Sequence, residues 1–127
     1  MNISTAALLL AIIPSVIAQD AYFRIQGVCT SQFIGVNSCS VSAEVRQEGL
    51  KENDDKQLWF WDTTTPTGTS TATRLVNKGC GLVILPPPNC DDSAAFTLAD
   101  HLTGPEYQKW WLEDQGDDKF FIWHNVL

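Results

Sequence analysis

Apolar and polar positions alternate over short intervals along this 127-residue chain. "VSAEV" (41–45) and "FTLAD" (96–100) follow the two-residue period of a half-buried strand, whereas "LVIL" (82–85) and "WFW" (59–61) are short apolar runs. No stretch beyond residue 18 sustains a 3.6-residue apolar period, so essentially no helix is expected there. Turn-forming residues separate the runs, and the pattern predicts short strands throughout. Four are "AYFRIQG", "SQFIGVN", "SVSAEVRQ" and "KQLWFWD"; four more are "TATRLVNK", "CGLVIL", "AAFTLAD" and "YQKWWLED". "DKFFIWHNVL" at the end of the sequence reads as one further strand.

The two sets of four are copies. Cys29 and Cys80, Cys39 and Cys90, and Gln57 and Gln108 are each 51 residues apart (80 − 29, 90 − 39, 108 − 57). Trp59 and Trp110 follow with the same spacing. A shared period at independent landmarks marks an internal repeat. The first repeat covers about 21–62, the second about 72–114, and a third begins at 119–127. Between the first two lies "TTTPTGTSTA" (63–72), a Thr-rich loop with nothing to bury; "PPP" at 86–88 predicts a stiff extended loop, because proline cannot donate to a central ladder.

Residues 1–18, "MNISTAALLLAIIPSVIA", carry no charged side chain, an apolar centre and small residues before Gln19. This reads as a secretory signal peptide cleaved after Ala18, and the protein as secreted and extracellular. The competing reading, a membrane anchor, needs a longer apolar run than Pro14 and Ser15 leave.

The formal charge of −7 lies wholly beyond residue 18. It argues against nucleic acid, which needs a basic face, and there is no polybasic segment for an anionic membrane. In an exported chain the four cysteines are candidates for disulfides, and four allow three pairings. The two histidines, His101 and His124, stand far apart with no nucleophile motif near either, so no catalytic role, metal site or cofactor is expected. "EGLKENDDKQ" and "EDQGDDK" are acidic, without the spacing of a calcium loop, and read as solvated turns.

Repeats of four strands that close on Gln-x-Trp resemble the ricin B-type family, the R-type lectins. Gln57-Leu58-Trp59 and Gln108-Lys109-Trp110 carry the resemblance, supported by the openings "FRIQGVCTSQFIGV" and "TRLVNKGCGLVIL". It implies an all-β fold, a β-trefoil with two full four-strand repeats plus the first strand of a third. First and fourth strands would form a barrel, second and third strands a hairpin cap. Gln57, Trp59, Gln108 and Trp110 would then be structural, each Trp buried and each Gln tying down a loop. Trp111 should face away from the core, under a loop or as a stacking surface. On this plan equivalent cysteines lie apart around the axis, which implies Cys29–Cys39 and Cys80–Cys90. With the strands present the barrel is not expected to close, leaving "FFIWHNVL" beside an open edge that invites self-association.

The resemblance also implies a non-catalytic, carbohydrate-binding role with a glycan or glycoprotein partner. In that family a sugar site combines an Asp after the second strand, an aromatic on the third strand and a polar residue beside the motif Gln. Here those places fall near Gly35 or Asn37 and near Leu85 or Pro86, then at Gln47 and Leu98, then at Lys56 and Tyr107. No repeat holds the full set. A reduced set of Asn37 with Gln47, or Asp91, Asp92 and Tyr107, is what the sequence offers. The alternative is a β-trefoil that binds protein, such as a secreted protease inhibitor or effector, through the loops at 63–72 and 85–93.

Overall fold

A computed structural model describes residues 8–14, 22–86, 95–101, 108–117 and 119–124, with 8–14 and 124 described by their backbone. The strands are β1 (Leu8–Pro14), β2 (Phe23–Gly27), β3 (Phe33–Val36), β4 (Val45–Glu48), β5 (Trp59–Trp61), β6 (Leu75–Asn77), β7 (Val83–Leu85), β8 (Thr97–Ala99), β9 (Trp110–Asp114) and β10 (Lys119–His124). Each predicted strand has one of these inside it or overlapping it. The described residues contain no α-helix, only single 3-10 turns such as Asp55–Gln57 and Thr69–Thr71. Alternation sets the inward faces: Phe23 and Ile25 on β2, and Trp110 and Leu112 on β9, are buried while their neighbours are not.

Six strands form a closed ring. β2 pairs with β5, β5 with β6, β9 with β10, and β1 with both β10 and β2, all antiparallel. The ring closes between β6 and β9 at Thr73 and Trp110, which exchange both backbone hydrogen bonds at 3.0 and 2.8 Å. The barrel was expected to stay open, and in this chain it does not. Leu8–Pro14 lies between β10 and β2, the place a fourth strand of the third repeat would take. An apolar run with extended backbone gains two ladders there, and both neighbouring edges are covered.

The second and third strands of the first two repeats form hairpins outside the barrel. Ile34 faces Gln47 in β3–β4, and Ile84 faces Leu98 in β7–β8. The hairpins also join each other: Ser42 N donates to Leu98 O, Val45 N to Phe96 O and Leu98 N to Ala43 O, at 2.8–2.9 Å. Phe23, Ile25, Ile34, Val36, Val45, Trp59, Leu75, Ile84, Phe96, Leu98, Trp110, Leu112 and Ile122 make one buried cluster between barrel and cap. This is a β-trefoil with the third hairpin's place unfilled among the described residues.

The loop at 63–72 was expected to bury nothing, yet Pro66 is among the most buried residues and its carbonyl accepts from Leu112 N at 3.1 Å. Proline lacks a donor, so it can be sealed at a strand edge without stranding an N–H.

The disulfide pairing differs from the expected one. Cys39 is bonded to Cys80, Cys29 carries an exposed free thiol, and Cys90 lies outside the described residues. Cys29–Cys39 and Cys80–Cys90 are therefore both excluded. Cys39 sits in the β3–β4 loop of the first repeat and Cys80 in the β6–β7 turn of the second, with Cα atoms 5.0 Å apart. Neighbouring hairpins meet around the axis, so loop and turn of adjacent repeats touch even though equivalent positions do not. The bond closes a loop with a sequence separation of 41 residues. In the chain-entropy account that contributes about 4 kcal/mol, more than a short intra-hairpin clasp.

Candidate functional site

The Gln-x-Trp residues are the frame for any site. Trp59 is fully buried and its Nε1 donates to Ile34 O at 2.9 Å; Trp110 Nε1 donates to Ile84 O at 3.2 Å. Both indoles thus hold the second strand of their own repeat from inside. Gln57 lies on the 3-10 turn before β5, where its Nε2 donates to Gly49 O at 2.7 Å and its Oε1 accepts from Lys51 N at 2.9 Å. Gln108 Nε2 donates to Asp100 O at 2.9 Å, while its Oε1 accepts from Nε of the buried Arg74 at 3.0 Å. In each repeat the Trp therefore ties the fourth strand to the second, and the Gln ties it to the preceding loop.

Of the residues considered for sugar contact, Gln47 and Asn37 are described. Gln47, on β4, accepts from Thr30 Oγ1 at 2.7 Å. Asn37, exposed beyond the end of β3, accepts from Lys51 Nζ at 3.4 Å. The partners described for the two side chains are thus Thr30 for Gln47 and Lys51 for Asn37. Asp91, Asp92 and Tyr107 lie outside the described residues.

The acidic stretches are used to shape turns. Asp54 Oδ1 caps the 3-10 turn by accepting from Lys56 N at 2.9 Å, and Asp114 Oδ1 accepts from Gly116 N at 2.7 Å. Near the start of the second repeat, Arg74 Nη1 lies 3.8 Å from Asp62 Oδ2, and the same oxygen meets His101 Nε2 at 2.9 Å. This chain of contacts locks the end of β5 to the Gln108 turn.

The group best built for a ligand is on the outer face of β9 and β10. Trp111 stands directly opposite Trp123 and Glu113 opposite Phe121 in the antiparallel register. Their neighbours Trp110, Leu112 and Ile122 point inward, so these four point outward. The rings of Trp111 and Trp123 stack with centroids 6.2 Å apart and planes 22° apart, and Phe121 meets Trp123 at 6.1 Å. All three rings are half-buried, while Glu113 is exposed. Glu113 Oε1 accepts from Trp123 Nε1 at 3.4 Å and from Gln115 Nε2 at 3.2 Å. A flat aromatic face is thereby joined to a carboxylate held in place by two donors, with acceptor capacity left over. The outward turn of Trp111 was expected from the sequence. Its grouping with Phe121, Trp123 and Glu113 was not, because it depends on which strands pair. The two aromatics of "FFIWH" at odd positions were the available signal.

No protein-family model matches the chain, and no curated protein matches it. Solved structures do. The chain is similar to a designed threefold-symmetric protein, ThreeFoil, at a TM-score of 0.62 and 20% identity, over 83% of this chain and 71% of that one. It is similar to a GH43 β-1,3-galactosidase at 0.59 and 15% identity, over 93% of this chain and 21% of that one. A third similar structure is the cytolethal distending toxin of Haemophilus ducreyi, at 0.58 and 13% identity, over 93% and 61%. At these identities the likeness speaks for the fold, and the chain is a β-trefoil.

Proposed function

We propose that this protein is a secreted, non-catalytic carbohydrate-binding module of the ricin B-like kind. Its binding surface on this reading is the outer face of β9 and β10. The observation that carries the proposal is the stack of Trp111, Trp123 and Phe121 beside a fixed Glu113 carboxylate. The apolar C–H face of a pyranose ring packs on an indole, and a carboxylate accepts its neighbouring hydroxyls. The trefoil fold supports the reading, as do the galactosidase and toxin among its structural neighbours. The Cys39–Cys80 bond accords with an oxidising, extracellular setting.

Screening the protein on a glycan array, then titrating hits by calorimetry, tests this. Wild type should give a signal reversed by free sugar, and Trp111→Ala with Trp123→Ala should remove it while near-native circular dichroism remains. A blank array, or a double variant that binds as tightly as wild type, overturns the proposal.

A further inference from the structure

We propose that the gap between β2 and β10 is a strand-acceptor groove. Leu8–Pro14 fills it in this chain. Once the segment before Gln19 has been removed, it takes an extended apolar strand from a different protein.

The barrel has a two-sided slot, and its occupant is visible. β1 pairs antiparallel with β2 from Leu10↔Gly27 to Pro14↔Phe23, and with β10 from Leu8↔Ile122 to Ala11↔Lys119. Leu10 and Ala11 pair on both sides at once, with Gly27 and Phe120 and with Gln26 and Lys119. The barrel strands that do not border this slot have both neighbours from the repeats themselves: β5 lies between β2 and β6, and β9 between Thr73 and β10. Only this place depends on residues 8–14, the same residues whose composition reads as a cleavable leader.

Without an occupant, β2 and β10 would each present a row of free N–H and C=O groups. Both edges are ready to accept a strand. "FRIQG" and "KFFIWH" contain no proline, so every residue of both edges keeps its backbone N–H for pairing; Arg24 and Lys119 are their only Lys or Arg residues. The buried side chains of Phe23, Ile25 and Ile122 flank the slot. Recognition of this kind draws affinity from main-chain hydrogen bonds and selectivity from alternate side chains. The fitting ligand is a segment of about seven residues, uncharged, apolar and free of internal proline, running antiparallel to both neighbours. "LLLAIIP" lacks a Gln-x-Trp motif and still occupies the slot, so the groove selects extended apolar backbone and not the repeat's own motif. The inference rests on the secretion reading and is independent of the carbohydrate one, because slot and aromatic face make separate demands.

The test uses the full chain, with a specific protease site placed between Ser15 and Asp20. After cutting, the N-terminal segment should remain bound through gel filtration. A labelled peptide of residues 8–14 with lysines added at its ends should enter the cut protein, displacing that segment, and should not enter the uncut one. Hydrogen exchange gives a second readout. Ala11→Pro, which removes a donor from the strand held on both sides, should speed exchange of β2 and β10 amides at least tenfold and admit the peptide without cutting. Ala11→Gly is the milder variant where the proline prevents folding, with an effect of the same sign. The proposal is overturned if the cut segment dissociates while β2 and β10 keep their protection. It is equally overturned if the cut protein refuses the peptide, or pairs with a second copy of itself to its exclusion.

Discussion

The first and second repeats use the same Gln-x-Trp motif, and they use its two residues differently. The indoles are interchangeable: each is buried and each donates to the carbonyl of an isoleucine on the second strand, at 2.9 Å from Trp59 and 3.2 Å from Trp110. The glutamines are not. Each Nε2 donates to the carbonyl eight residues back, Gly49 O from Gln57 and Asp100 O from Gln108, but Gln108 also gives its oxygen to the buried Arg74, where Gln57 accepts from Lys51 N. The turn between first and second strands shows the same mixture. Gly27 and Gln32, and Asn77 and Leu82, make matching 2.9 Å bonds, yet the left-handed residue is Ser31 in one repeat and Gly81 in the other. Positions that pack around the axis are held to one shape by their neighbours. Positions that satisfy a local loop can adopt whatever partner that loop supplies.

The largest expected effect tests the equivalence of the indoles. Trp59→Ala and Trp110→Ala should each cost about 3–5 kcal/mol in denaturant unfolding, because each leaves a cavity the size of a bicyclic ring. Costs that differ by more than half would show that the two cores are unlike. Next comes the bond between repeats. Cys39→Ser should lower stability by about 2–4 kcal/mol, and Cys29→Ser should leave it nearly unchanged. Peptide mapping without reductant should recover the Cys39–Cys80 pair, and a Cys29–Cys39 peptide would refute the arrangement.

The glutamines sharpen the contrast. Gln57→Ala strands a backbone donor and acceptor, at about 1–3 kcal/mol. Gln108→Ala should cost more, since it also removes an acceptor from a buried guanidinium. Urea melts that reverse this order would mean Arg74 finds its compensation elsewhere. The smallest effect lies in the turns. Ser31 has φ 57° and Gly81 φ 70°, and nothing approaches a Cβ built on Gly81. Gly81→Ser should therefore cost about 1 kcal/mol from backbone strain alone, and Ser31→Gly should be neutral to stabilising by less than that. A Gly81→Ser protein as stable as wild type would show that the turn relaxes.

Much of this was legible in advance because it is periodic. Alternation and short apolar runs located nine of the ten described strands, β1 being the exception, and the motif marked Trp59 and Trp110, which are buried. The first strand of the third repeat shows the limit. Matching "RLVN" with "FIWHN" aligns Asn77 with Asn125, but in the sheet Trp59 faces Asn77 and Trp110 faces His124. Asn77 is buried, donating to Lys56 O at 2.9 Å and accepting from Cys80 N at 3.1 Å, so its position is set by register and not by residue type. The aromatic face was half legible: the outward turn of Trp111 follows from alternation, its partners from strand pairing.

The sequence by itself determined much of the local content: where most strands lie, which residues of several face inward, and that two copies share one motif. Those properties depend on near neighbours in the chain and on the two-residue period. Which cysteine meets which, what closes the barrel and which aromatics share a face were decided by the tertiary structure alone. Each of these joins segments of different repeats. Cys39 reached Cys80, and Leu8–Pro14 reached β2 and β10, because packing around the axis brings together positions that no spacing along the chain relates.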